Sequence, residues 1–306
     1  MANETFLVAG IKKKLFVLFQ RIVGLLWGTG LSHFPPIFRL YIFLFKALKP
    51  SGNVMVVDGH KMYCRMEGLS DWVDEVFQGY MVRGGWEEET TRLFKSIVKE
   101  GDVVVDLGAN VGWYTLLSAR VVGSEGRVYA FEPDATNYKL LVGNVELNNF
   151  ANVITENQAV SDKTGIVNLY RTQRGLGATL CPSDNQTNII PIKSTSLDDY
   201  FKGNKCRVNI VKMDIEGGER AALSGMTNIM KMNRGLKIFA EFHLQCIINS
   251  GTTPKQFASL LLNHYKFTIT IIQDWTRHAK SQRVTSVDEL LDICRDDGVV
   301  NLLLEG

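Results

Sequence analysis

Residues 103–115 read Val103-Val104-Val105-Asp106-Leu107-Gly108-Ala109-Asn110-Val111-Gly112-Trp113-Tyr114-Thr115. An apolar, β-branched run ends on a carboxylate, a glycine-bearing turn follows, and an apolar helical pattern runs from Val111 to Val122 and closes at Gly123. That order is the strand–turn–helix entry of an α/β sheet. The alternation continues downstream. Arg127–Phe131 is a second strand ending at Glu132, and Asp134–Asn148 a helix with Leu140, Leu141, Val145 and Leu147 toward the core. Val153–Gln158 is a third strand, Val208–Met213 a fourth ending at Asp214, and Leu236–Ala240 a fifth ending at Glu241. Strands separated by helices need crossover connections, so the expectation is a doubly wound, Rossmann-like, mostly parallel sheet with helices on both faces.

Ligands of such sheets bind beyond the carboxyl ends of the strands, where these acids fall. Tyr265–Gln273 and Val299–Glu305 are two further strands around a helix over Ser286–Cys294, and the last is placed to return antiparallel. Between the third and fourth strands, Ile166–Arg171 and Asn188–Lys193 flank a polar loop, Thr172–Thr187, of a length often used for a lid or binding loop.

The turn at Gly108 selects the ligand. Asn110 stands where a dinucleotide loop needs its second glycine, and no Gly-Lys-Ser/Thr follows, which disfavours pyrophosphate and nucleoside triphosphate. Glu132, twenty-four residues after Gly108, is placed to accept from two ribose hydroxyls. Asp106 adds an anion beside the glycines. Phosphate would gain nothing from it, whereas S-adenosylmethionine carries an ammonium and a sulfonium and no phosphate. Gly108, Ala109, Asn110 and Gly112 then form the donor turn. Gln158 and Ala159 are candidates for the adenine, through a side-chain amide and a backbone N–H; the competing reading has the amide capping the Ser161-Asp162 turn.

The chain has 306 residues, 45% of them hydrophobic and 22% charged, which is ordinary for a globular protein and argues against general disorder. Net charge is +2, unevenly placed. Residues 1–50 hold seven basic side chains against Glu4, a local +6, leaving about −4 for the remainder. With no aromatic–basic stripe through the body, nucleic acid is not an expected partner. Leu15–Trp27 and Phe38–Leu48, separated by Pro35-Pro36, are apolar with narrow basic faces and fall short of the ~20 uninterrupted apolar residues of a spanning helix. They read as amphipathic helices, and residues 11–49 are candidates for an anionic membrane surface; packing on the protein's own core or in a homodimer is the competing reading. Asn53–Val57 and His60–Arg65, joined by Asp58-Gly59, form a hairpin signal. The expected organisation is a basic helical segment over 1–50, a hairpin and connector over 51–80, and a catalytic domain over 81–306. Cys64, Cys181, Cys206, Cys246 and Cys294, read as scattered with no C-x-x-C pair and no histidine partner, argue against a disulfide framework or structural zinc. The expected location is the reducing cytoplasm, peripheral on the inner face of the cell membrane.

Asp106–Thr115 (DLGANVGWYT), Ala130–Pro133 (AFEP) with Asn137-Tyr138 and Asn144–Asn148, Ala159–Asp162 (AVSD), Lys212–Glu219 (KMDIEGGE) and Glu241–His243 (EFH) together resemble the FkbM family of methyltransferases, over roughly residues 80–245. Gly59–Tyr63 is similar to a hairpin of some members. The resemblance implies a class I methyltransferase fold, S-adenosylmethionine as donor, and usually O-methylation of sugars, glycolipids or polyketide-type products. By position, Asp106, Gly108, Asn110, Gly112 and Glu132 match the family's cofactor residues. Residues 172–187 and the first fifty match nothing to carry over.

Methylating a hydroxyl calls for a base or a metal near the acceptor. Asp214-Ile215-Glu216 sets two carboxylates two residues apart, on one side if the chain is extended. Glu241-Phe242-His243 does the same on the neighbouring strand, and Asp214 also borders the donor turn. The favoured assignment makes His243 the general base, with Asp214 and Glu216 binding the acceptor or orienting the imidazole. A rival has Asp214, Glu216 and Glu241 holding Mg²⁺. In the plainest reading Glu219 serves the N-terminus of the next helix and Glu241 pairs with an arginine. Alternatives for the whole chain are an N-methyltransferase and a non-enzymatic cofactor-binding scaffold.

Overall fold

A computed structural model describes Leu15, Leu18, Phe19, Ile22 and residues 35–48, 54–63, 86–172, 178–182, 186–203, 206–274 and 281–306. The chain divides into two compact units, 1–88 and 89–306. In the first, helix α1 spans Pro35–Leu48. Strands β1 (Val54–Val57) and β2 (His60–Tyr63) pair antiparallel with Val57 opposite His60. Asp58 and Gly59 between them take φ of 47° and 77°, the two left-handed residues that a type I′ turn demands. Most of the expected helix Leu15–Trp27 lies outside the described residues; Leu15, Leu18, Phe19 and Ile22 are helical. Among the described residues, no helix is long and apolar enough to cross a membrane.

The second unit is built on an eight-stranded sheet. After helix α2 (Glu88–Ile97), β3 (Val103–Leu107) forms from a β-branched run whose Val104, Val105 and Leu107 are fully buried, as a central parallel strand requires. Helix α3 (Trp113–Val122) leads to β4 (Arg127–Phe131), and helix α4 (Ala135–Leu147) to β5 (Val153–Glu156). Later come β10 (Ile210–Met213), β11 (Lys237–His243), β12 (Thr268–Ile272), β13 (Ser281–Val284) and β14 (Val299–Glu305). The order is β13-β12-β14-β11-β10-β3-β4-β5. β3 pairs parallel with both β4 and β10, and β10 with β11, while β14 returns antiparallel against β11. This is the doubly wound, mostly parallel sheet with a late antiparallel strand expected from the sequence. The chain leaves β3 toward β4 on one side and reaches β10 on the other, so the crevice at the carboxyl end of β3 is the topological switch point.

Two regions differ from the strand reading: β13, which pairs with β12, is a strand that it does not name, and the end of the third strand folds otherwise. β5 stops at Glu156, and Ala159-Val160 begins a separate four-stranded sheet as β6. It continues with β7 (Gly165–Thr172), β8 (Ala178-Thr179) and β9 (Gln186–Thr195), in the order β6-β9-β7-β8. The two runs expected to flank a lid pair with each other, Val167 opposite Ile192. Alternating exposure suits such a two-faced ladder: Ile166 is 67% exposed and Leu169 1%. Of the loop itself, residues 173–177 and 183–185 lie outside the described residues. Asp134 joins the two sheets. Its Oδ1 accepts from the backbone N–H of Thr136 and Asn137, capping α4, while Arg171 of β7 forms an ion pair with its Oδ2.

Candidate active site

The donor turn is fixed from both sides of β3. The Phe131 carbonyl, at the end of β4, accepts from the N–H groups of Gly108 and Ala109, each at 3.0 Å. On the other side the Asp214 N–H donates to the Leu107 carbonyl at 3.0 Å. Gly108 has φ 77°, and a β-carbon there would stand 1.9 Å from the Asp214 carbonyl oxygen, so no other residue fits. Gly112 has φ 98°, and a β-carbon there would meet Leu141 at 2.9 Å. Asn110 is also left-handed, at φ 51°, a conformation asparagine tolerates better than most residues.

Asp106 is 2% exposed, and its Oδ2 accepts from the Thr115 hydroxyl at 2.6 Å. Burial pushes its carboxyl up to about 6. The side chain is buried against α3 through this bond to Thr115. Glu132 is 4% exposed; Oε1 accepts from the Asp134 N–H and Oε2 from the Asn110 N–H, both at 2.8 Å. Burial pushes its carboxyl up to about 8. Once ionised, each oxygen retains a second lone pair for a hydroxyl donor. The Asn110 Oδ1 is buried and has no hydrogen-bond partner, a cost that a bound ammonium or hydroxyl removes. These residues fit the cationic, hydroxyl-bearing donor.

Gln158 follows β5 half-buried, and Ala159 is buried at the start of β6. Asn157, which sequence reasoning passes over, donates from Nδ2 to the Glu132 carbonyl at 2.8 Å and holds the end of β4 in place.

On the acceptor side the carboxylates separate. Asp214 and Glu241 place oxygens within 4.8 Å of each other. The Asp214 carboxylate lies 3.6 Å from Lys212, which is 1% exposed and sits 4.9 Å from the Tyr114 ring centroid. Glu216 points elsewhere, because its φ of 52° reverses the chain that an extended strand would have continued. The Thr179 hydroxyl holds that reversal by donating to the Glu216 carbonyl at 2.6 Å. Gly217, at φ 99°, lets the backbone pass the Cys246 carbonyl, which a β-carbon would approach to 2.6 Å. The three carboxylates of the Mg²⁺ arrangement therefore do not converge. Glu219 opens the helix Glu219–Ser224 and accepts from the Ile215 N–H at 3.2 Å. Burial pushes its carboxyl up to about 7.

Glu216 instead meets Cys246 and His243. The Cys246 thiol donates to Glu216 Oε2 at 3.1 Å, and its sulfur contacts His243 Nδ1. His243 ends β11 and Cys246 lies three residues on, in the first turn of the helix Leu244–Asn249. The strand-to-helix turn thus brings together a histidine and a cysteine that the sequence reading leaves unpaired. Their His-x-x-Cys spacing is the available signal. Burial, then the charge of Asp214, pushes the Glu216 carboxyl up; burial, then Glu216, pushes the Cys246 thiol up. The thiol therefore keeps its proton and gives it to the Glu216 hydrogen bond. In the imidazole tautomer with hydrogen on Nδ1, the sulfur accepts from Nδ1–H and Nε2 carries the lone pair. A groove of about 650 Å³ is lined among others by Lys163, Asn168, Tyr170, Gly217, Gly218 and Arg220, Gly217 being the chain neighbour of Glu216.

Residues 106–246 match the methyltransferase FkbM domain. Over 190 residues the chain is 27% identical to the hexuronic acid methyltransferase AglP of Haloferax volcanii, covering 62% of this chain and 72% of that protein. Among solved structures, a methyltransferase FkbM of Methylobacillus flagellatus superposes with a TM-score of 0.42 at 16% identity, covering 77% of this chain and 55% of that one. An S-adenosylmethionine-dependent O-methyltransferase of Thermotoga maritima gives 0.41 at 14% identity, covering 86% and 80%. With the turn from Gly108 to Gly112 and Glu132 inside the span that matches the methyltransferase FkbM domain, the chain is an S-adenosylmethionine-dependent methyltransferase.

Proposed function

We propose that this enzyme methylates a hydroxyl of a sugar, glycolipid or related small molecule, with His243 as the general base. The observation that carries the reading is the Glu216–Cys246–His243 array. It holds Nδ1 against the Cys246 sulfur, which supports a tautomer with Nε2 able to take a proton. The donor supplies an electrophilic methyl group on a cationic sulfur. Glu132 and the turn from Gly108 to Gly112 hold it, with Gln158 and Ala159 at the adenine. As the acceptor oxygen gains the methyl group, its proton passes to Nε2 and S-adenosylhomocysteine leaves. Asp214 and Glu241, at the carboxyl ends of β10 and β11, accept from the acceptor's other hydroxyls. The groove is walled by hydroxyl, amide and cationic side chains, which suits a polyhydroxyl acceptor, and Lys163 and Arg220 suit one with an anionic group. The Haloferax relative, named for a hexuronic acid, supports a sugar.

His243→Gln tests the base. Turnover should fall by ~10²–10⁴-fold while donor affinity by calorimetry stays near wild type. Retained turnover would remove His243 from the chemistry. Mass spectrometry of cell glycans and lipids, with and without the gene, identifies the acceptor as the species that loses one methyl group.

The N-terminal unit adds a place of action. Leu15, Leu18, Ile22, Leu40 and Phe43 are 46–67% exposed, and the first three lie on one helical face. Basic residues flank both segments, so residues 11–49 are read as resting on an anionic bilayer surface on the cytoplasmic side. Co-flotation with phosphatidylglycerol vesicles tests this. Concentration-dependent dimerisation without flotation favours self-association instead.

A further inference from the structure

We infer that Glu216, His243 and Cys246 form a binding site for a d-block divalent cation of the zinc type. Three potential ligand atoms, a carboxylate oxygen, the imidazole Nδ1 and a thiol sulfur, lie within 4.8 Å of one another. A tetrahedral zinc site with bonds of about 2.0–2.3 Å separates its ligand atoms by about 3.3–3.6 Å, so small side-chain rotations close the site. The oxygen–sulfur distance is already 3.1 Å. A sulfur and a nitrogen in the set exclude Mg²⁺ as the natural occupant and favour zinc, cobalt or iron.

The surroundings fit. All three ligands are half-buried rather than sealed, so an ion can reach them from solvent. Asp214 and Glu241 add negative potential nearby, and Thr179 fixes the Glu216 backbone. On binding, the thiol proton leaves to solvent and the sulfur coordinates as thiolate, the step that a dication drives against the thiol's preference for staying protonated. Nδ1 loses its hydrogen to Nε2 and becomes a ligand. The imidazole then has no lone pair for a substrate proton, so a bound ion would silence the base that the metal-free enzyme uses.

This consequence for turnover rests on the base reading above; the binding itself does not. The test is cobalt(II) titration of the chelator-stripped full chain, without donor or acceptor. One equivalent should bring up a near-ultraviolet sulfur-to-cobalt charge-transfer band and visible bands of four-coordinate intensity, reversed by Zn²⁺. Cys246→Ser and Cys246→Ala should abolish the charge-transfer band, and Cys181→Ser should retain it. His243→Gln and Glu216→Gln should weaken binding at least tenfold. Wild-type donor affinity of each variant certifies its fold. Absence of the band, or its survival in both Cys246 variants, overturns the site. Failure of His243→Gln to slow turnover overturns only the base role.

Discussion

Replacing Gly108 by alanine separates two costs that the structure keeps apart at another glycine. Gly101 has φ 82° with nothing within 4 Å of where a β-carbon would stand, so Gly101→Ala meets only the left-handed backbone cost, about 1–2 kcal/mol. At Gly108 the same cost applies at φ 77°, but the β-carbon stands 1.9 Å from the Asp214 carbonyl oxygen and 2.9 Å from its carbon. Those are backbone atoms of the neighbouring strand end, so β3 and β10 must part locally, adding about 1–3 kcal/mol of overpacking. The total is about 2–5 kcal/mol. For a domain of this size, at roughly 2–4 °C per kcal/mol, Gly101→Ala lowers the melting temperature by about 2–8 °C and Gly108→Ala by about 4–20 °C. Differential scanning calorimetry measures both. Donor titration should show weakened binding only for Gly108→Ala, because only there does the turn move away from Asp214. Equal melting temperatures together with equal donor affinities would refute the close-approach reasoning.

Glu132 makes donor binding pH-dependent. Its carboxyl, raised by burial to about 8 from an ordinary 4.5, is protonated in the free folded enzyme near neutrality, while a carboxylate accepts best from two hydroxyls. Donor affinity should therefore strengthen as pH rises toward about 8, by at most tenfold per pH unit, and level off above it. Calorimetry in buffers of different ionisation enthalpy should count released protons, and Glu132→Gln should release none; a flat affinity in the wild type below pH 8 would contradict this. For stability the sign reverses: with the folded value above the unfolded one, Glu132's contribution is complete below about 4.5 and is lost as pH climbs through about 8. Thr115→Val leaves the buried Asp106 carboxylate without its hydroxyl and should cost about 1–3 kcal/mol in urea unfolding, with an unchanged midpoint as the contrary result.

The β3 turn is legible in the sequence because period, glycine and carboxylate all point the same way: Val103–Leu107 must be central, and the residues after it must bend. Glu132 is legible for the same reason, as the residue following a short buried run. The acceptor side reads less well. Asp214 and Glu216 are two residues apart, and an extended chain would set them side by side, but Glu216 turns left-handed. Backbone reversals of non-glycine residues carry no reliable sequence mark. Cys246 escapes sequence reasoning because its partners are a carboxylate thirty residues away and a histidine across a strand-to-helix boundary, where strand and helix periods both fail. The small sheet escapes it because β7 and β9 pair only with each other and with short strands, so nothing in the βαβ rhythm announces them.

Among the described residues that small sheet shares no ladder with the eight-stranded one, and Arg171 and Asp134 tether it to the end of β4. Its strands supply groove residues such as Asn168 and Tyr170 but none of the donor turn. If the groove holds the acceptor as proposed, this sheet is an exchangeable mould: lengthening or replacing the hairpin between Gly165 and Thr195 should alter what the groove accepts and leave donor binding intact. On that reading, a change of acceptor needs new loops on the mould and no rebuilding of the engine.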